Sequence, residues 1–175
     1  AEFFEKMVKV REALPGVALT TDVIVGFPGE TEAQFANGYR FIQKIGFAEL
    51  HVFPYSMRTG TPAARMTDQI PEEVKHERVA KLLELNRELQ LAYSRQFVGD
   101  VLEVIPERPY KEAPESGLMM GYSDNYLNVV FPGDENMIGK ICKVRLDEPG
   151  TEYCKGTFVR VLEQDHLSPA KERAV

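Results

Sequence analysis

Two apolar runs, Val17 to Val25 and Phe47 to Tyr55, flank a single amphipathic helix, and that order decides the topology of the first third of the chain. Both runs are rich in β-branched and aromatic residues and bounded by Pro and Gly, which reads as buried strands. With one helix between them, the second strand returns parallel to the first through a crossover. The helix itself is well marked. Thr31 and Gln34 have capping-box spacing, Phe35, Tyr39, Ile42 and Ile45 form one face, and Gly46 sits at the C-terminal cap position. Phe3, Phe4, Met7, Val10 and Leu14 predict an earlier helix over residues 1 to 13, stopped by Pro15-Gly16. Helix, strand, helix, strand is the unit of α/β barrels and doubly wound sheets.

Met57 to Ile70 reads as a loop with Thr59-Gly60-Thr61-Pro62 as its turn, and Pro71 opens a long helix that ends near Gly99. Its packed stripe is predicted as Val74, Arg78, Leu82, Leu85, Leu89 and Ala92, with EEVKHER and NRE facing water. From Asp100 the pattern changes to short alternating runs: VLEVI, LMMGY, YLNVVF, KICKVRL and GTFVRVL. Five strands at this spacing predict a small antiparallel barrel of OB-like character. The last residues, from about 165 with Ser168 to Val175 at their end, read as a frayed tail.

Alternation along the two parallel strands puts Leu19, Thr21, Val23 and Val25 on the helix-facing side of the first, with Leu50, Val52 and Pro54 on that of the second. Asp22, Glu49 and His51 then share the opposite face. They form either an interior polar cluster near a ligand or a structural hydrogen-bond network. Gly26-Phe27-Pro28-Gly29-Glu30-Thr31 stands at a strand-to-helix turn but lacks the P-loop lysine and GxGxxG spacing, and Glu30 places negative charge where a phosphate would sit. Its glycines serve a tight turn or the approach of an uncharged flat group. Tyr55, Arg58 and Arg65 lie where they can reach RNA or a cofactor, or simply in a solvated loop.

Charge and cysteine usage narrow the function classes. A net charge of −6 and a pI near 5.2 argue against gripping nucleic acid by charge alone. From Arg95 to Glu163 there are 8 Lys and Arg against 12 Asp and Glu, a balance of −4. Two cysteines, Cys142 and Cys154, match neither a zinc site nor a three-cysteine cluster site and read as small hydrophobes. No apolar stretch reaches the ~20 residues of a membrane helix, and AEFFEKMVKV lacks a signal-peptide layout, so no membrane partner and a cytoplasmic location are expected.

TTDVIVGFPGET followed by ELHVFPYSMRTGTPAARM resembles the second half of the radical-SAM core of methylthiotransferases. GYSDNYLNVVF and MIGKICKV resemble the TRAM domain that ends these enzymes. The implied fold is an α/β partial radical-SAM (TIM-like) barrel over residues 1–70, a connecting helix over 71–99, and a small all-β OB-like TRAM barrel over 100–164. HVFPYSMRTGTPA is most similar to family members that methylthiolate threonylcarbamoyladenosine beside the tRNA anticodon. The resemblance implies S-adenosylmethionine and two 4Fe–4S clusters as cofactors and tRNA as partner. It also implies that Ile24, Val25, Gly26, Phe53, Pro54 and Tyr55 neighbour the cofactor adenine, and that Asp22, His51 and Arg58 face the reaction space. No CxxxCxxC motif is present, so no cluster is expected on this chain and it is expected to be inactive alone. Lys140, Lys143 and Arg145, expected on one barrel strand, are the RNA-binding candidates, and exposed strand edges are expected to favour self-association. The alternative is a free-standing RNA-binding barrel without catalysis.

Overall fold

The computed structural model describes residues 2–113 and 116–162, so the tail from 165 lies outside the described residues. The chain divides into two compact units, Ala1–Phe97 with Pro149–Thr151, and Val98–Glu148 with Glu152–Val175.

The first unit runs α1 (Glu2–Ala13), β1 (Thr20–Val25), α2 (Glu32–Ile45), β2 (Glu49–Pro54) and α3 (Glu72–Arg95). β1 and β2 pair in parallel, with Asp22 opposite His51 and Ile24 opposite Phe53. α2 begins with the capping box predicted for Thr31 and Gln34 and ends on Gly46 at φ 67°, whose N–H donates to the Ile42 carbonyl. Arg11 of α1 donates to the Ile45 carbonyl at 2.5 Å, covering another orphan acceptor of that helix end. Val25, Phe35, Ile42, Ile45, Leu50, Leu82, Leu85 and Leu89 form the core between sheet and helices. Burying each large side chain contributes ~1.5–3 kcal/mol, which offsets the ordering of a two-stranded sheet too small to be stable by itself. The sheet of this unit has two strands, and no closed α/β barrel is present among the described residues.

The stripe of α3 differs from its expected membership. Lys75 and Arg78 are buried, at 5% and 4% exposure, and Tyr93 rather than Ala92 continues the packed side after Leu89. EEVKHER therefore does not face water throughout. Its first turns lie over the ends of β1 and β2, where carbonyls and carboxylates receive the two cations.

The second unit contains β3 (Val101–Pro109), β4 (Leu118–Ser123), β5 (Asn128–Pro132), β6 (Cys142–Glu148) and β7 (Cys154–Val161). They close a barrel in the order β3-β4-β5-β7-β6. Val104, Val129, Phe131, Cys142, Val144 and Leu146 fill its interior at 0–1% exposure. The expected all-antiparallel pairing is corrected at one joint, since β5 and β7 run parallel. Parity requires this: strand directions cannot alternate all the way round a closed ring of five. Gly121 lets β4 pass close to β3, because a Cβ there would stand 2.0 Å from the Ile105 carbonyl oxygen.

Candidate functional site

The carboxyl ends of β1 and β2 meet the first turns of α3. Gly26, the residue after β1, has φ 72°, and a Cβ there would stand 2.4 Å from Lys75 Cγ, so glycine is required by both backbone and space. Its N–H donates to Glu30 Oε2 at 2.6 Å. Arg78 Nη1 donates to the same oxygen at 2.6 Å and to the Glu30 backbone carbonyl at 3.1 Å, while Nη2 reaches Glu32 at 3.4 Å. The Glu30 carboxylate thus takes the N–H that a phosphate-binding turn would offer to its ligand. An anion site at this turn is closed by the chain's own acid.

Lys75 performs the matching task on β2. Its ammonium donates to the Tyr55 carbonyl at 3.2 Å and to Glu72 at 2.7 Å, and lies over the Tyr55 ring, 5.6 Å from its centroid. The hydrogen bond from Lys75 holds the Glu72 carboxyl below its usual range. Tyr55 N–H donates to the Val25 carbonyl at 2.8 Å, extending the ladder past the last paired residues, and its ring meets Phe27 edge-on at 5.3 Å. Tyr55 Oη is buried without a hydrogen-bond partner.

On the sheet face away from the helices, Ile24 and Phe53 stand side by side at 59% and 51% exposure, and the neighbouring Phe27 is also exposed. Asp22 and His51 face each other on the same side, both exposed. Of the six expected adenine neighbours, Ile24, Phe53 and Pro54 present exposed side chains and Tyr55 is half-buried. Val25 points into the core at 1% exposure, so it has only its backbone to offer, as does Gly26. Glu49 departs from the expected trio with Asp22 and His51, because its carboxylate accepts from Gln90 of α3 at 3.3 Å. At the first position of β2 a long side chain can bend back to the helix. Arg58 and Arg65 are exposed in the loop after β2.

Sequence reasoning placed Lys75 in the water-facing segment EEVKHER and saw Arg78 only as part of the packed stripe. The available signal was register: Lys75, Arg78, Leu82, Leu85 and Leu89 follow at threes and fours, so two cations occupy positions that point inward.

On the barrel, Lys143 pairs with Glu103 at 2.8 Å and Arg145 with Asp147 at 2.8 Å. Lys140 is exposed in the turn before β6 and not on the strand, which corrects its expected place. The 3₁₀ turn Glu135–Met137 and Gly139 at φ 75° end the preceding segment there and delay the strand to Cys142.

No family model matches the chain. It is 54% identical over 165 residues to the threonylcarbamoyladenosine tRNA methylthiotransferase MtaB of Bacillus subtilis, covering 94% of this chain and 37% of that protein. It is 40% identical to a tRNA-2-methylthio-N(6)-dimethylallyladenosine synthase of Acetivibrio thermocellus, covering 91% of this chain and 33% of the relative. The corresponding synthase of Moorella thermoacetica is 38% identical, with 90% and 35% covered. Over this stretch the chain matches the C-terminal part of the methylthiotransferase family. It spans about a third of the length of these curated relatives, at 37%, 33% and 35%.

Within that methylthiotransferase frame, the closed five-stranded barrel fits a TRAM domain. At the strand ends Ile24 and Phe53 form an exposed apolar pair, and the turn at Gly26 brings backbone beside it. Iron–sulfur clusters do not fit the described residues. Cys142 and Cys154 are buried in the barrel, burial pushes the Cys142 thiol up, and no group of three or more His, Cys, Asp or Glu among the described residues could hold a metal ion. No helix among the described residues is long and apolar enough to cross a membrane.

Proposed function

We propose that this chain is the part of a cytoplasmic tRNA methylthiotransferase that walls the adenine side of S-adenosylmethionine and carries the enzyme's TRAM barrel, with threonylcarbamoyladenosine in tRNA as substrate. Residues 1–70 belong to the radical-SAM core in this reading, 71–99 to the connecting helix and 100–164 to the TRAM barrel. The observation that carries it is the 54% identity to the Bacillus subtilis enzyme across 94% of the chain, against 40% to the dimethylallyladenosine synthase of Acetivibrio thermocellus.

The strand ends support the cofactor role. Ile24 and Phe53 offer apolar contact to a purine beside the turn at Gly26. Asp22, His51 and Arg58 are exposed on the side or loop from which a substrate would approach. Lys75 and Arg78 contribute by fixing the two strand exits rather than by touching the ligand. S-adenosylmethionine, when bound, supplies the methyl group and the radical. The thiolates for two 4Fe–4S clusters must come from sequence beyond these residues, so this chain alone is inactive.

Deleting the gene that encodes this chain and analysing tRNA nucleosides by mass spectrometry tests the reading. The expected result is loss of the methylthio form of threonylcarbamoyladenosine with retention of the methylthio dimethylallyl nucleoside. An unchanged nucleoside profile overturns it, and loss of the dimethylallyl product alone transfers the substrate to the other branch.

A further inference from the structure

We infer that Asp22 and His51 recognise the threonylcarbamoyl substituent of the adenosine substrate and so discriminate against a purely apolar one such as dimethylallyl. The open face of the two-stranded sheet grades from polar to apolar along the strands. Asp22 lies opposite His51 and, two residues on, Ile24 lies opposite Phe53. Residues two apart on a strand share a face and stand about 7 Å from one another, so the two pairs form one continuous strip. All four side chains are exposed, whereas the intervening Val23 and Val52 pack on the helix side.

Neither polar side chain has a task within the fold. Among the described residues the side chains of Asp22 and His51 make no hydrogen bond and no ion pair, with each other or with the helices; Asp22 contributes only its backbone carbonyl, to the Thr21 hydroxyl at 3.4 Å. Glu49, one pair back along the strands, shows the contrast, since its carboxylate is taken up by Gln90 of α3 at 3.3 Å. The structural network that alternation left open is thus not formed by these two residues. They remain available to a ligand lying on the strip.

The adenosine substituents named for the relatives differ in the property that this pair can sense. A threonylcarbamoyl group carries urea N–H groups, a hydroxyl and a carboxylate, whereas a dimethylallyl group is hydrocarbon. An ionised aspartate accepts hydrogen bonds and donates none, and an imidazole donates at least one in either charge state. Asp22 therefore suits the hydroxyl or N–H donors, and His51 suits the carboxylate. An apolar substituent in the same place covers both polar groups without pairing them, and that cost is the basis of the discrimination. This inference rests on the threonylcarbamoyladenosine reading and names the residues that enforce it.

The test is fluorescence anisotropy of labelled anticodon stem-loops titrated anaerobically with the full-length enzyme that contains this chain. The loops are identical except at one adenosine, which is unmodified or carries threonylcarbamoyl, its methyl ester, or dimethylallyl. Contacts common to all of them cancel in the ratios of their affinities. The parent should prefer the threonylcarbamoyl loop over the unmodified and dimethylallyl loops about tenfold or more. Esterification should cost the parent about as much as His51→Phe does, and should cost that variant little further. Asp22→Ala should lower the preference by a similar factor and leave the penalty of the ester in place. His51→Gln, which keeps an N–H donor, should retain most of the preference. The ester arm uses the unaltered protein, so it decides the matter even where a variant folds poorly. An ester that binds the parent as well as the acid does, or a preference unchanged in both His51→Phe and Asp22→Ala, overturns the assignment. So does a preference lost in Arg58→Gln but kept in His51→Phe, and so does a parent with no preference at all. The nucleoside profile of the deletion strain judges the threonylcarbamoyladenosine reading independently in every case.

Discussion

Arg78 and the backbone N–H of Gly26 share one oxygen of Glu30, each donor lying 2.6 Å from it. A carboxylate held between a buried guanidinium and a turn amide links α3 to the exit of β1, and it fixes the backbone of Gly26, one of the residues proposed beside the adenine. Removing Arg78 leaves Glu30 partly buried with its charge uncompensated.

Arg78→Ala is therefore expected to destabilise the α/β unit by about 3 kcal/mol, the order found when one partner of a buried pair is removed. Arg78→Met, which fills more of the space, should not restore stability because the uncompensated carboxylate remains. The double substitution with Glu30→Gln should recover much of the loss, since glutamine still offers an oxygen to Gly26. Urea unfolding followed by hydrogen exchange, with the barrel as internal reference, reads the difference; an unchanged unfolding midpoint for Arg78→Ala would contradict the role given to the pair.

Cys142 and Cys154 are expected to be unreactive to Ellman's reagent in the folded chain at pH 8 and to titrate as two thiols in denaturant. Burial at 0% and 2% exposure blocks the reagent, and the raised pKa of Cys142 keeps its thiol protonated. Rapid native reaction of either residue would disprove the interior assignment.

The sheet of β1 and β2 has two strands among the described residues, so both outer edges and the face with Ile24 and Phe53 are open. Self-association through this region is expected in sedimentation experiments, with Ile24→Glu plus Phe53→Glu shifting the chain towards monomer. A wild-type chain that sediments as a monomer at every concentration tested would rule it out.

Asp147 accepts from Thr157 and from Arg145, at 2.6 and 2.8 Å, and these bonds, Thr157 first, lower its pKa from the usual 3.8. Because the folded value is depressed, the stabilisation is present above pH 3.8 and lost as pH falls through the folded value. Asp147→Asn should therefore be less stable than the parent at pH 7, with the gap narrowing towards pH 3. Since the group is exposed, the effect should be small. A gap that widens on acidification reverses the sign of the argument.

The crossover was legible because Thr31, Gln34 and Gly46 are local signals that specify a helix by themselves, and the flanking β-branched runs admit one arrangement around it. The shared face of Ile24, Phe53, Asp22 and His51 followed from alternation alone. The destinations of long polar side chains did not. Glu49 bends to Gln90, and Lys75 threads under Gly26 to the Tyr55 carbonyl, contacts between residues far apart in sequence that no periodicity encodes.

The single parallel joint of the barrel also sets an order of assembly. β3, β4 and β5 form a meander of neighbouring strands, and β6 and β7 form a hairpin, so both pieces need only local contacts. They meet along two seams, Val101 to Arg145 and Val129 to Cys154, which join residues distant along the chain. Non-local pairing is the slow part of folding. Substitutions that weaken the seams should slow refolding measured by stopped flow, whereas those within the hairpin should mainly hasten unfolding if it forms after the barrier, and slow refolding as well if it forms before. In kinetic terms this ring is two prefabricated halves, and the time it takes to fold is the time they take to find each other.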